Sequence, residues 1–186
     1  MSSAAAAIPT NTVDHLRRLY FVRFVFAAAW AGTFAGIGSS LDAASITLLI
    51  LYPAFDVAAA AFDARTSRNP VLYANMVIST AAAIGLAFAA ADDIPAVLRV
   101  WGVWAIVAGL VQLFLALKRR GLGGQWAMIL SGGISVIAGA SFLGQASGAT
   151  SMKLCAGYAG LGGLFFLISA VRLLRTGNAT KVSEVR

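Results

Sequence analysis

The sequence predicts an all-α integral membrane protein in which six transmembrane helices form three repeated hairpins and both termini face the cytoplasm. Composition sets the class: 60% of the 186 residues are hydrophobic and only 11% are charged, against about 25% charged in ordinary soluble domains. A soluble fold could not hide that much apolar surface. Six apolar stretches of roughly 20 residues, the length that crosses a bilayer, take up nearly all of the chain. Charge then sets the orientation. Of the 14 Lys and Arg residues, Arg17, Arg18, Arg23, Arg65, Arg68, Lys118, Arg119, Arg120, Arg172, Arg175, Lys181 and Arg186 fall toward one side, and only Arg99 and Lys153 toward the other. Short loops rich in Lys and Arg stay inside, so the termini and the turns near 66 and 120 are expected in the cytoplasm. The turns with Asp42, Asp92 and Asp93 are expected outside.

Residues 1–13 (MSSAAAAIPTNTV) are small and polar and are expected to form a disordered tail. The membrane domain is expected over 14–175. Its first span runs from Tyr20 to Gly38, too long for the 7 to 15 apolar residues of a signal-peptide core, and is read as a retained helix. The second runs from Ala44 to Phe62 and ends in the polar stretch Asp63 to Asn69. Pro70, suited to a first helical turn, opens the third, to Ala90. Asp92 and Asp93 make a tight turn, with their carboxylates at the favourable amino-terminal end of the fourth span, Ile94 to Leu117. The fifth runs from Gln125 to Leu143 and the sixth from Leu154 to Leu174, followed by a polar tail over 176–186.

An internal repeat organises these spans. Placing Trp104–Lys118 over Tyr158–Arg172 matches Ala105, Gly109, Leu110, Leu113 and Ala116 to Ala159, Gly163, Leu164, Leu167 and Ala170. Ile78 and Ser79 likewise register with Ile134 and Ser135. The units are hairpins over 20–62, 71–117 and 125–174, all starting from the same side. Small residues recur at every fourth position: Gly32 and Gly36; Ser131, Ser135 and Gly139; Ala159 and Gly163. In lipid such faces let helix backbones approach closely, so they are expected to be packing seams within the chain. A homo-oligomer or another membrane protein would be the alternative user of the same faces. Trp101, Trp104, Trp126, Tyr20 and Tyr73 are expected near the membrane interfaces.

The segment from Trp104 to Phe142 (WAIVAGLVQLFLALKRRGLGGQWAMILSGGISVIAGASF) resembles the HdeD-like short-repeat family of bacterial membrane proteins. The likeness lies in a helix ending in a basic pair, a Gly and Trp turn, and a small-residue helix of the form SG..S...G. Gln125 stands where that turn usually has an acid. LLILYPAFD, Leu48 to Asp56, is similar to the family's second helix, and Arg23 falls where its first helix often has an arginine, although Phe24 and Val57 replace the glycines that usually follow. The likeness covers Leu19 to Arg175. It implies six helices, the bacterial inner membrane, and a namesake linked to acid resistance.

The inventory speaks against an enzyme. General acid and base chemistry needs positioned ionisable groups, and the chain has one His and seven acids. His15 lies beside Arg17 and Arg18 as a solvated or headgroup residue. Cys155 opens the sixth span with no His or Asn nearby in sequence, which suits packing rather than nucleophilic attack. Gly121, Gly123 and Gly124 lack the Lys and Ser or Thr of a phosphate loop. No metal or cofactor is called for. The net charge of +7 is gathered in short clusters between apolar runs, which argues for lipid rather than nucleic acid as partner.

One pair of residues stands apart. Arg23 and Asp56 are the ionisable residues inside the spans of the first hairpin, at depths of roughly 5 and 10 Å along their helices. The repeat puts Arg23 in register with Asn75 and Ser131, and Asp56 with Ala108 and Gly162. Intramembrane acids are usually paired and face the bundle, so Arg23 and Asp56 are expected to form an ion pair. Three functions follow from different features: a non-enzymatic envelope or acid-stress protein, from the resemblance; a small transporter or proton pathway, from the buried charge; and an assembly or scaffold subunit, from the small-residue faces. The lack of an ionisable residue at mid-depth in the third, fifth and sixth spans weighs against the second.

Overall fold

A computed structural model of the chain describes residues 10–184, with side chains over 12–175. Six helices follow in order: α1 (Thr10–Ile37), α2 (Ala43–Ser67), α3 (Pro70–Ala89), α4 (Ile94–Lys118), α5 (Gln125–Gln145) and α6 (Lys153–Glu184). Each contains a stretch long and apolar enough to cross a membrane, and no strand occurs among the described residues. The chain is a multi-pass helical membrane protein. Consecutive helices pack as neighbours and α6 closes against α1, so the bundle is a ring. Its closest seams are α1 with α6, α2 with α3, and α4 with α5. These fall between the hairpins 20–62, 71–117 and 125–174 rather than within them.

Local chemistry explains where the helices begin. Asp42 accepts from the Ser45 backbone N–H at 2.8 Å while the Ser45 hydroxyl accepts from the Asp42 N–H at 3.0 Å, a reciprocal cap on α2. Asn69 caps α3 ahead of Pro70, and Asp93 accepts from the Ala96 N–H at 2.7 Å to cap α4. Gly124, at φ 66°, precedes α5 in the left-handed region. A Cβ there would lie 3.1 Å from the Ser169 carbonyl oxygen. Hence Gly suits the position twice, by conformation and by space.

The helix ends depart from the expected boundaries. The chain is already helical at Thr10, so four residues of the expected tail, 10–13, belong to α1; residues 1–9 lie outside the described residues. Hydropathy marks where a helix enters lipid, but here packing continues beyond that point: Leu16 joins Tyr20, Ala170 and Leu173 in one buried cluster. Similarly, α6 continues through most of the expected tail over 176–186, to Glu184, since no proline interrupts its backbone hydrogen bonding. Asp63 lies inside α2, whose apolar stretch ends at Phe62 but whose helix runs five residues further.

The seams use some of the expected small residues and not others. At the α4–α5 seam a Cβ on Gly139 would stand 2.5 Å from the Gly102 carbonyl oxygen, and one on Gly109 would stand 2.7 Å from the Ser135 Cβ. No side chain fits between these backbones. Gly163 approaches Ala27 at the α1–α6 seam, and Ala159 is fully buried. Gly32 and Gly36 are corrections. Both are exposed, with nothing within 4 Å of an added Cβ, because Ala27, Trp30 and Phe34 form the inward face of α1 instead. Trp101, Trp104 and Tyr20 are corrections too, buried in the bundle where bands at the interface were expected, whereas Trp126 and Tyr73 are exposed. A periodic stripe says that a helix has a distinct face, not which way that face turns.

Gly139→Val should therefore destabilise the bundle by roughly 1 to 3 kcal/mol, the usual range for overpacking, while Gly32→Val should change little. Heating detergent-solubilised variants and following the remaining monodisperse fraction checks this; equal losses would contradict the seam. Asp42 gives a second check. The Ser45 N–H and the Ser40 hydroxyl hold its carboxyl below the usual carboxylate range. A lowered folded pKa means a stabilising contribution that is present at neutral pH and lost as the pH falls through that value. Asp42→Asn should flatten the acid limb of the thermal-stability profile.

Candidate functional site

Every neighbour in the ring touches its neighbours at the perimeter, so space is left on the axis. A cavity of about 110 Å³ lies there, running from Asp63 and Arg119 at the basic end of the bundle up to Tyr52, Trp104 and Tyr158. One site of roughly 10 to 15 Å³ holds a water on this measure, so the cavity has room for several waters or one small solute. Asn75, Ser131, Ala108 and Gly162, expected from the sequence to stand in register with Arg23 and Asp56, line it together with them.

Arg23 and Asp56 form an ion pair, with side chains only 18% and 13% exposed. The Arg23 guanidinium also lies over the Phe166 ring, 4.9 Å from its centroid. Asp56 has further donors. The Asn75 amide donates to Asp56 Oδ2 at 2.7 Å and the Ser79 hydroxyl at 2.8 Å, while the Trp104 indole N–H donates to Ser79 Oγ at 3.1 Å. Four helices thus converge on one carboxylate. Two α3 residues four apart, Asn75 and Ser79, share a helix face and can both reach it. Three residues before Asp56, Pro53 lies inside α2. A proline there removes a backbone donor to the residue four positions earlier. Beside this break the Trp30 indole N–H donates to the Leu48 carbonyl oxygen at 2.7 Å.

A second ion pair lies at the basic end. Arg119 binds Asp63 with both terminal guanidinium nitrogens, at 2.8 and 2.9 Å, and the side chains are only 13% and 7% exposed. Burial works against the Arg119 charge, but the hydrogen bonds and charge of Asp63 outweigh it and hold the guanidinium above its ordinary value. Asp56 and Asp63, seven residues apart on α2, share the face toward the cavity. Beside the pair, the Tyr20 hydroxyl donates to Gln125 Oε1 at 3.2 Å. Each buried charge therefore has an opposite partner, as the cost of an isolated one demands.

The opposite end of the cavity is closed by aromatic rings. Trp101 is fully buried, with Trp30 at 5.5 Å, Tyr52 at 5.5 Å and Trp104 at 5.4 Å between centroids. Beyond it lie Phe34, Leu49, Leu86, Leu98 and Met152, all fully buried. At the rim the Tyr158 hydroxyl donates to Ser135 Oγ at 3.2 Å. Polar groups thus line the basic half of the axis, and the other half is apolar.

Sequence reasoning brought Arg23 and Asp56 together but overlooked Asp63 and Arg119, which lie in what looked like a polar loop and an ordinary basic run. It also found no polar continuation in the third, fifth and sixth spans. That continuation is Asn75, Ser79, Ser131, Ser135 and Tyr158, which are neutral and so escape a search for charge. Ser131 and Ser135, expected as packing residues, are buried and line the cavity as well. Cys155 is buried, and His15 stacks on Phe62 at 4.5 Å, away from the cavity lining. Among the described residues no three His, Cys, Asp or Glu stand together as a metal site.

No family model matches the chain, nor does any curated protein or solved structure.

Removing one partner of a buried pair costs roughly 3 to 5 kcal/mol because the other charge is left uncompensated. Asp56→Asn and Arg23→Gln should each reduce folded protein, and the double variant should recover part of it. Additive losses in that cycle, measured by thermal unfolding in detergent, would reject the coupling. Asp63→Asn and Arg119→Gln should behave the same way as a separate cycle.

Proposed function

We propose that this protein is a small transporter of the bacterial inner membrane, non-enzymatic, whose substrate pathway is the axial cavity. The observation that carries this is the lining of the cavity: two ion pairs and a set of neutral hydrogen-bonding groups inside the bundle, confined to one half of its depth. A bundle that only had to stay folded would do as well with apolar residues there, since exchange of buried ion pairs for well-packed apolar groups is often neutral or stabilising. Intramembrane charges more often mark solute or proton pathways.

On this proposal the basic end is cytoplasmic, in keeping with the excess of Lys and Arg. Arg119, Asp63, Tyr20 and Gln125 close the cytoplasmic mouth, and the layer around Trp101 closes the outer side. Transport requires each to open in turn, with Pro53 as the break in α2 about which its two halves can move. The HdeD-like resemblance bears on the physiological setting rather than on transport itself. Its segment, Trp104 to Phe142, contributes Trp104, Gln112, Arg119, Ser131 and Ser135 to the cavity wall. The family's link to acid resistance makes envelope or acid stress the physiological setting we favour. A scaffold role is less well supported, because the Gly109, Gly139 and Gly163 faces are used inside the ring.

Proteoliposomes test the proposal. Uptake of small polar solutes, followed by light scattering after an osmotic step, should exceed that of empty vesicles and should fall in a folded Ser135→Leu variant, which fills the cavity. Proton entry is followed in parallel with an internal pH dye. Flux at the level of empty vesicles in both assays would sink the proposal.

A further inference from the structure

We infer that the axial cavity is a binding site for a small organic cation, an amine or guanidine of a few heavy atoms, held by the Asp56 carboxylate inside a cage of aromatic rings. This rests on the transport proposal for its purpose but not for its evidence. Phe26, Tyr52, Phe55, Trp104, Tyr158 and Phe166 all line the same cavity as Asp56. Ring faces attract cations through their quadrupole, and do so most strongly where water is excluded, which is how aromatic cages hold alkylammonium groups. The structure already contains a cation in contact with the carboxylate and with one of these rings. Arg23 is a cation tethered to α1, ion-paired with Asp56 and lying over Phe166.

The chemistry selects the class. Asn75 and Ser79 both donate to Asp56, so the carboxylate is prepared to remain an anion and to face a cation. An anionic solute would have to displace Asp56 or Asp63 from its arginine and then meet both carboxylates. A neutral solute would make no use of the charge. The space, about 110 Å³, limits the ligand to a compact one.

Competition with Arg23 gives the inference its sharpest consequence. Tethered groups act at effective concentrations of about millimolar or more, so a free cation binds the wild-type chain weakly and must displace the side chain. Once released, Arg23 has Asp63 and Tyr20 on the way to the mouth, both in the wall of the same cavity. Removing Arg23 removes the competitor. A purely structural clasp predicts the reverse, since losing the partner would only weaken the protein.

The test uses the full-length chain in detergent, titrated with tetramethylammonium chloride, with guanidinium chloride as a second cation and tert-butanol as a neutral probe of similar size. Intrinsic tryptophan fluorescence reads occupancy, because Trp104 lines the cavity. The wild-type chain is expected to saturate with millimolar tetramethylammonium and not with tert-butanol. Arg23→Gln should bind it roughly tenfold tighter or more, and millimolar guanidinium should raise that variant's thermal midpoint further than the wild type's. Asp56→Asn should abolish the response, and Asp92→Asn, at an exposed position that does not line the cavity, should preserve it. If Arg23→Gln fails to fold, the wild-type titration decides alone. No saturable response in the wild type, or an equal response to tert-butanol, overturns the inference. The two proposals separate cleanly: saturable binding without entry of the same cation into vesicles would leave the cation site standing and sink transport. Flux of neutral solutes with no cation binding would do the opposite.

Discussion

Asp56 is the side chain on which the arrangement of this bundle turns. A carboxylate inside lipid must find an opposite charge and hydrogen-bond donors within the protein, and Asp56 finds them on two other helices, with Trp104 of α4 added through Ser79. The hydrocarbon supplies no alternative partner. Helices α1 to α4 are therefore specified in rotation as well as in position, because each must turn one particular residue toward the same point. Apolar packing alone would leave that rotation loosely determined, as lipid tails are as apolar as leucine.

The remaining geometry follows from how closely the helices can approach. Gly102 and Gly109 on α4 face Gly139 and Gly132 on α5 with no room for a side chain, and α6 closes on α1 through Gly163 and Ala27. Close seams at the perimeter make a ring, and a ring of six helices is too wide for its own side chains to fill the axis entirely. What fills the axis then differs by depth. Trp30, Trp101 and their neighbours pack one half, whereas the other half keeps polar groups and a cavity. The same contrast that holds the charges apart from lipid also makes a compartment whose two ends differ: aromatic packing at one, a bidentate ion pair at the other.

That asymmetry ties stability to function. Ion pairs can be broken and re-formed by small displacements of two side chains, while the layer around Trp101 moves only if helices move. Pro53 lies between them on α2, three residues from Asp56 and next to Tyr52 of the aromatic layer. A weakened backbone at this level is where bending would couple the carboxylate to the seal.

Sequence alone determined the class, the number of spans and the Arg23–Asp56 pair. Hydropathy and span length leave little choice in lipid, and two lone charges of opposite sign at similar depth have few other partners. Tertiary structure decided the rest. Only packing showed that Gly32 and Gly36 turn outward while Gly102 and Gly109 meet α5, because a stripe of small residues does not say which neighbour it faces. Arg119 and Asp63 looked like the ordinary charges of loops, and their pairing depends on α2 continuing past its apolar stretch and on α4 ending beside it. The cavity itself belongs to no segment of the chain: it is the space left when six helices, each with its own face, close on one another.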